Sequence, residues 1–172
     1  VLGLFSRKKL KEIGFFLLIG RQIGAEPLLR IAADFADIMV RRNIFADGAA
    51  QLKAERSSGA RLILATASPD FYATEIAKRL DFDAVIATQQ AQPQPGLYSH
   101  RIEGDNCYGA AKRAMVQAAL GNSIPASAMR FYTDSASDAP LMDWVGTAFA
   151  VNPDKALRRL AQQKGWQVLH FA

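Results

Sequence analysis

The sequence predicts an α/β protein: a Rossmann-like parallel sheet with helices on both faces, preceded by a small helical cap subdomain. Three observations carry this prediction. From about residue 46 onward, short apolar runs alternate with amphipathic stretches of roughly 10–15 residues, the pattern of strand–helix–strand units. Residues 1–44 read as helix alone. The polar groups of most interest fall where strands end, and open parallel sheets bind ligands at that edge. The expected division is therefore 1–44 as part of a cap and 45–172 as the α/β core.

The elements follow in order. Residues 5–20 and 25–41 read as helices; in the second, Leu28, Ile31, Ala32, Phe35, Ile38 and Met39 share one apolar face, and Pro27 lies in the tolerant first turn. A helix over 47–58 stops at Gly59, and "RLILAT" (61–66) is a short buried strand. "SPD" opens a helix with Ala73, Ile76, Ala77 and Leu80 on one face, followed by the strand "AVIAT" (84–88). The prolines and Gly96 of "QQAQPQPGLYSHRIEG" predict an exposed hairpin or flap. A helix over 109–120, the strand "MRFYT" (129–133), a turn-rich segment and the strand "TAFAV" (147–151) come next. A helix over 154–164 and the strand "QVLHF" complete the chain.

Composition narrows the function. The chain of 172 residues, 50% apolar and 22% charged, has the balance of an ordinary globular domain able to bury a core. The net charge of +5 suits an anionic partner, yet no basic run interleaved with aromatics marks a nucleic-acid groove, so none is expected. The single Cys107 excludes an internal disulfide and a multi-cysteine zinc cluster and reads as a packed small hydrophobe. "IGFFLLIG" (13–20) is well short of the ~20 residues that span a bilayer, and no small-residue cleavage site follows it. The expected setting is cytoplasmic, with contact to the inner membrane face if the substrate is a lipid.

Four polar groups stand at strand ends and helix starts. Thr66 closes a strand, with Ser68 just after; Lys112 sits in the first turn of a helix, where a cation opposes the dipole; Asp134 closes another strand; Asp138 opens the next helix. A hydroxyl, an ammonium and two carboxylates suit a phosphate and a hard divalent cation. Each also has a plain structural reading. Thr66 or Ser68 serves as a helix cap, Lys112 as a solvated surface lysine and Asp138 as an N-cap. Asp134 resists such a reading, since an unpaired acid is costly there.

In sequence order, strand–Thr, "GDNCYGAAK" and "YTDSASDAPLM" resemble the haloacid dehalogenase superfamily, nearest to its phosphoserine-phosphatase-like subfamily with an early helical cap. The resemblance covers about 45–171, including "FAVNPDKALRRLAQQKGWQVL". It implies that Thr66 hydrogen-bonds the phosphoryl group with the neighbouring Ala67, that Lys112 neutralises charge, that Asp134 is a Mg2+ ligand and that Asp138 supports the metal shell and the lysine. The family's first motif, Asp-x-Asp, is missing. Its one look-alike, "DFDAV" (81–85), enters a strand instead of leaving one, so its carboxylates belong to the wrong sheet edge. Without the nucleophile's strand, "RLILAT" and "MRFYT" are each expected to keep an unpaired edge. The expectation is a truncated chain, inactive alone, lacking an upstream segment with that strand; Val1 in place of Met agrees.

For the complete protein the resemblance implies a magnesium-dependent phosphomonoester hydrolase working through an aspartyl-phosphate, on a small phosphorylated metabolite or a membrane lipid phosphate. "RKKLKEIGFFLLIGR" offers cap packing or an amphiphile entrance. Two alternatives remain: a non-catalytic phosphate- or metal-binding module, and a phosphotransferase to an alcohol.

Overall fold

The computed structural model describes residues 6–121 and 123–172. The chain forms two compact units, one of residues up to Ile44 with Glu55–Cys107, the other of Phe45–Ala54 with Tyr108–Ala172.

The first unit begins with α1 (Arg7–Ile19), whose Ser6 cap accepts a hydrogen bond from the Lys9 amide at 3.2 Å. Position 5 of the predicted helix lies outside the described residues. A three-residue strand that the sequence pattern did not reveal, β1 (Gln22–Gly24), leads into α2 (Ala25–Arg42). Here the predicted apolar face is corrected. Leu28, Ala32 and Ala36 are buried, whereas Ile31, Phe35 and Ile38 are exposed. The reason is the partner. The helix α3 (Ala46–Ser57), which belongs to the second unit as far as Ala54, ends as predicted just before a left-handed Gly59; in the first unit β2 (Ile63–Pro69) leads into α4 (Asp70–Arg79), against which α2 packs. Ala73 and Ala77 of α4 are buried, and alanines on both helices allow close approach along the 28–32–36 row. Larger side chains flank that seam, with Phe35 edge-on to Tyr72 at 5.0 Å.

The strand β3 (Ala84–Thr88) runs parallel to β2. The predicted hairpin is present: Ser99 donates to Ala91 O at 2.8 Å and Glu103 to Gln89 O at 3.0 Å, while residues 92–96 at its tip are exposed. Its outer strand β4 (Leu97–Ser99) pairs antiparallel with β1. Cys107 is buried, as expected.

The second unit carries α5 (Ala110–Leu120), β5 (Arg130–Thr133), α6 (Ala139–Met142), β6 (Thr147–Val151), α7 (Lys155–Lys164) and β7 (Gln167–Leu169). The strands form one parallel sheet in the order β5-β6-β7. Asp154 caps α7 by accepting from the Leu157 amide at 2.8 Å, and Gly165 ends it in the left-handed region. Met142, Ala148, Ala150, Leu157 and Ala161 form the core, with Phe131 and Trp166 packed on it. The last strand is shorter than "QVLHF" because Phe171 leaves the ladder. Its backbone exchanges two hydrogen bonds of 3.0 Å with the Asn152 side chain. Among the described strands, β2 has the single parallel partner β3 and β5 the single partner β6.

Candidate active site

In the second unit the site grows from the end of β5. Thr133, its last residue, is buried, and Asp134 beside it is exposed. Ser135 donates its amide to Thr133 Oγ1 at 3.1 Å, turning the chain into a 3-10 helix over Ala136–Asp138. That turn brings the Asp138 carboxylate inward, to 2% exposure. On α5, Gly109 adopts φ 58°, a left-handed entry that an L side chain would strain, and Lys112 follows within the first turn.

Lys112 is 7% exposed, and its Nζ donates to Asp138 Oδ2 at 2.7 Å; Thr133 Oγ1 donates to the same oxygen at 2.8 Å. The solvated-lysine reading is thereby excluded, since burial of an ammonium requires a partner and Asp138 supplies it. The N-cap reading of Asp138 also fails. The residue precedes α6 yet makes no side-chain cap bond, because its carboxylate is turned to Lys112 and Thr133. Its second oxygen, Oδ1, is buried without a hydrogen-bonding partner among the described residues. A carboxylate oxygen in that condition calls for a cation or a donor.

Magnesium fits this donor set. Among the described residues no three His, Cys, Asp or Glu side chains gather, but Mg2+ is commonly held by one or two carboxylates with waters completing the shell. Asp134, exposed, and Asp138 Oδ1, orphaned, are the candidate oxygens.

Thr66 and Ala67 belong to the first unit. Thr66 does not close its strand, as the sequence suggested; β2 runs on to Pro69. The ladder is broken there, pairing Ala65 with Ile86 and next Pro69 with Thr88, so residues 66–68 bulge opposite Ala87. Nor does Thr66 or Ser68 cap α4, whose N-cap is Pro69 without a side-chain bond. The Thr66 hydroxyl instead accepts from the Ser68 amide at 3.1 Å, a local turn that lifts the loop out of the sheet. Ala67 O accepts from Thr88 Oγ1 at 2.8 Å and from Lys11 Nζ. Sequence reading passed over Thr88 and Lys11. A threonine ending an otherwise apolar strand was a signal; nothing in "SRKKLKE" distinguished Lys11 from its neighbours.

Asp81 and Asp83 lie where β3 begins, so the rejected look-alike is at the strands' amino ends. Asp83 accepts from Arg56 Nη1 at 2.9 Å and from the Leu62 amide at 2.6 Å. The guanidinium, aided by that amide, holds its carboxyl below the usual carboxylate value. It is a structural ion pair. Asp70, by contrast, is pushed up by burial. No described helix is long and apolar enough to cross a membrane.

Comparison with known proteins agrees with this geometry. The family described as haloacid dehalogenase-like hydrolase matches residues 9–143. A phosphoserine phosphatase of Mycobacterium tuberculosis is 31% identical over 154 residues, which cover 88% of this chain and 49% of that protein. The chain thus spans about half the length of the curated relatives it matches. A solved protein of unknown function from Bordetella pertussis superposes with a TM-score of 0.84 at 26% identity, covering 98% of this chain and 76% of the other. A phosphoserine phosphatase solved with a phospho-aspartyl intermediate analogue shares the fold, with TM-score 0.67 at 14% identity over 98% of this chain and 74% of its own. With a bulged hydroxyl loop after an apolar strand, a buried lysine–aspartate pair and a match over most of its length, the chain belongs to the haloacid dehalogenase-like hydrolases.

Proposed function

We propose that the protein containing this chain is a magnesium-dependent phosphomonoester hydrolase that acts through an aspartyl-phosphate. The observation that carries the reading is the buried Lys112–Asp138 pair with its orphaned Oδ1, beside the exposed Asp134. Lys112 is held by Asp138, whose accepting oxygen is itself fixed by the Thr133 hydroxyl, so the lysine's remaining N–H groups are oriented before a phosphate arrives. Charge developing on a transferring phosphoryl group is best stabilised by donors that need no reorganisation. Thr66 and the Ala67 backbone are assigned the phosphoryl oxygens, Asp134 the metal, and Asp138 both the lysine and the metal shell. When bound, Mg2+ would neutralise charge on the phosphate and its attacker. The attacking carboxylate is assigned to none of these residues: Asp134 and Asp138 are the metal-site acids, and Asp81 and Asp83 lie at the strands' amino ends.

A small phosphorylated metabolite is the substrate class favoured by the phosphoserine phosphatase relative; a phospholipid head group is the second class to assay. The test is phosphate release by the full-length protein from p-nitrophenyl phosphate and a panel of phosphorylated metabolites and lipids. The expected result is turnover that EDTA abolishes and Mg2+ restores, with none from residues 1–172 alone. Binding of Mg2+ and phosphate without turnover would convert the protein to a non-catalytic module. A phosphorylated product on an added alcohol would make it a phosphotransferase.

A further inference from the structure

The loop at 66–68 makes no backbone ladder bonds to its own sheet, since the β2–β3 pairing breaks across it. Its Ala67 carbonyl is held by two side chains, Thr88 of β3 and Lys11 of α1. Lys11 Nζ donates to Ala67 O and, at 2.7 Å, to Asn106 Oδ1. The buried Thr88 hydroxyl lies 2.8 Å from Ala67 O and 3.0 Å from Asn106 Oδ1, and its oxygen accepts from the Cys107 amide at 3.1 Å. A count of protons decides who serves whom. Thr88 has one hydroxyl hydrogen and two acceptors in reach, whereas an ammonium has three donors. Lys11 therefore keeps both acceptors satisfied. Without it, either Ala67 O or Asn106 Oδ1 loses its donor in a half-buried setting.

The same helix is seated by two further polar contacts. Lys8 Nζ donates to Gly104 O at 2.5 Å, and buried Glu12 accepts from the Ile102 amide at 3.1 Å. All three tethers, from Lys8, Lys11 and Glu12, join α1 to the 102–106 segment.

We propose that Lys11 is a positioning residue for the phosphate-binding loop, ordering Thr66–Ser68 through its own hydrogen bond to the Ala67 carbonyl. The proposal rests on the phosphatase reading and deepens it. Lys11 need not touch the substrate. It fixes the Ala67 carbonyl, so the turn that carries the Thr66 hydroxyl is set before a phosphate arrives. If substrate must order the loop itself, the cost falls on ground state and transition state alike. KM then rises while kcat holds.

The experiment compares wild-type full-length protein with Lys11→Met, Lys11→Arg and, as control, Lys8→Met, which loosens the same helix without touching the loop. For Lys11→Met, KM for p-nitrophenyl phosphate and the inhibition constant of inorganic phosphate should each rise about tenfold, the equivalent of one unsatisfied acceptor. Turnover should stay within about threefold. Lys11→Arg should recover most of the loss, and Lys8→Met should leave KM within about twofold even if its melting temperature falls equally. The Ser68 amide should exchange with solvent faster in Lys11→Met than in Lys8→Met. A Lys11→Met protein with wild-type KM and wild-type Ser68 exchange overturns the proposal, as does a KM rise shared equally by Lys8→Met. If wild type turns over no phosphomonoester, the phosphatase reading falls by itself, and Ser68 exchange decides the loop support: faster sustains it, unchanged removes it.

Discussion

Removing the Asp138 carboxylate leaves an ammonium with nowhere to go. The Lys112 and Asp138 side chains are 9% and 3% exposed, and their 2.7 Å contact is reinforced by Thr133. An exposed ion pair contributes about 0–1 kcal/mol, but breaking a buried one from one side costs about 3–5 kcal/mol because the survivor stays desolvated. Against a typical total of about 5–15 kcal/mol, Asp138→Ala should remove roughly a fifth of the stability or more. Lys112→Met should do similar damage, stranding the carboxylate with the Thr133 hydroxyl as its remaining donor. The double variant Lys112→Met/Asp138→Leu removes both charges and should lose only about 1–2 kcal/mol. Urea unfolding followed by circular dichroism measures all four proteins, and the cycle should return a coupling of at least about 3 kcal/mol. Additive single effects, each within about 1 kcal/mol, would show that the pair behaves as a surface contact and would refute the burial argument.

Other outcomes follow from the same geometry. Asp134→Ala should change stability by less than about 0.5 kcal/mol, as its carboxylate is exposed, while weakening Mg2+ binding by the full-length protein in calorimetry; equal Mg2+ affinity would remove Asp134 from the metal site. Lys112→Met should lower kcat by about a hundredfold or more, measured above its stability threshold, and near-normal turnover would deny the lysine a role in the chemistry. Asp83 and Asp70 should give opposite pH signatures. The lowered Asp83 value contributes stability that is present above the ordinary 3.8 and lost as pH falls through the folded value, so Asp83→Asn should flatten the acid limb. The raised Asp70 value penalises its charged form, so Asp70→Asn should gain stability at neutral pH and lose that gain below 3.8; urea midpoints across pH 2–7 check both. Gly146→Ala would place Cβ 2.2 Å from the Ser127 carbonyl oxygen, so the backbone must shift, and a loss of about 1–3 kcal/mol should appear in thermal unfolding.

Much of the architecture was written in local chemistry. The strands 84–88 and 147–151 were readable to the residue because each is a continuous apolar run between turn signals. The helix stops at Gly59 and Gly165 were readable because a left-handed residue needs glycine there. Lys112, Asp134 and Asp138 were legible as a group through their order along the chain. Their individual states were not. Whether Lys112 is solvated or buried depends on a carboxylate 26 positions away, and whether Asp138 caps a helix depends on which partner its oxygens reach first. Spacing carries neither.

Long-range pairing escaped the sequence for the same reason. β1 is three residues long and exists through its register with β4, some 75 positions on. The apolar face of α2 was drawn from its own periodicity, but its buried row was selected by Ala73 and Ala77 of α4, which admit Ala32 and Ala36 and leave Phe35 at the margin. The bulge at 66–68 and the hold of Lys11 upon it belong to tertiary structure alone. A broken ladder leaves a carbonyl to be satisfied, and one of the two groups that satisfy it is 56 residues distant, in a run of cations that local sequence could not tell apart.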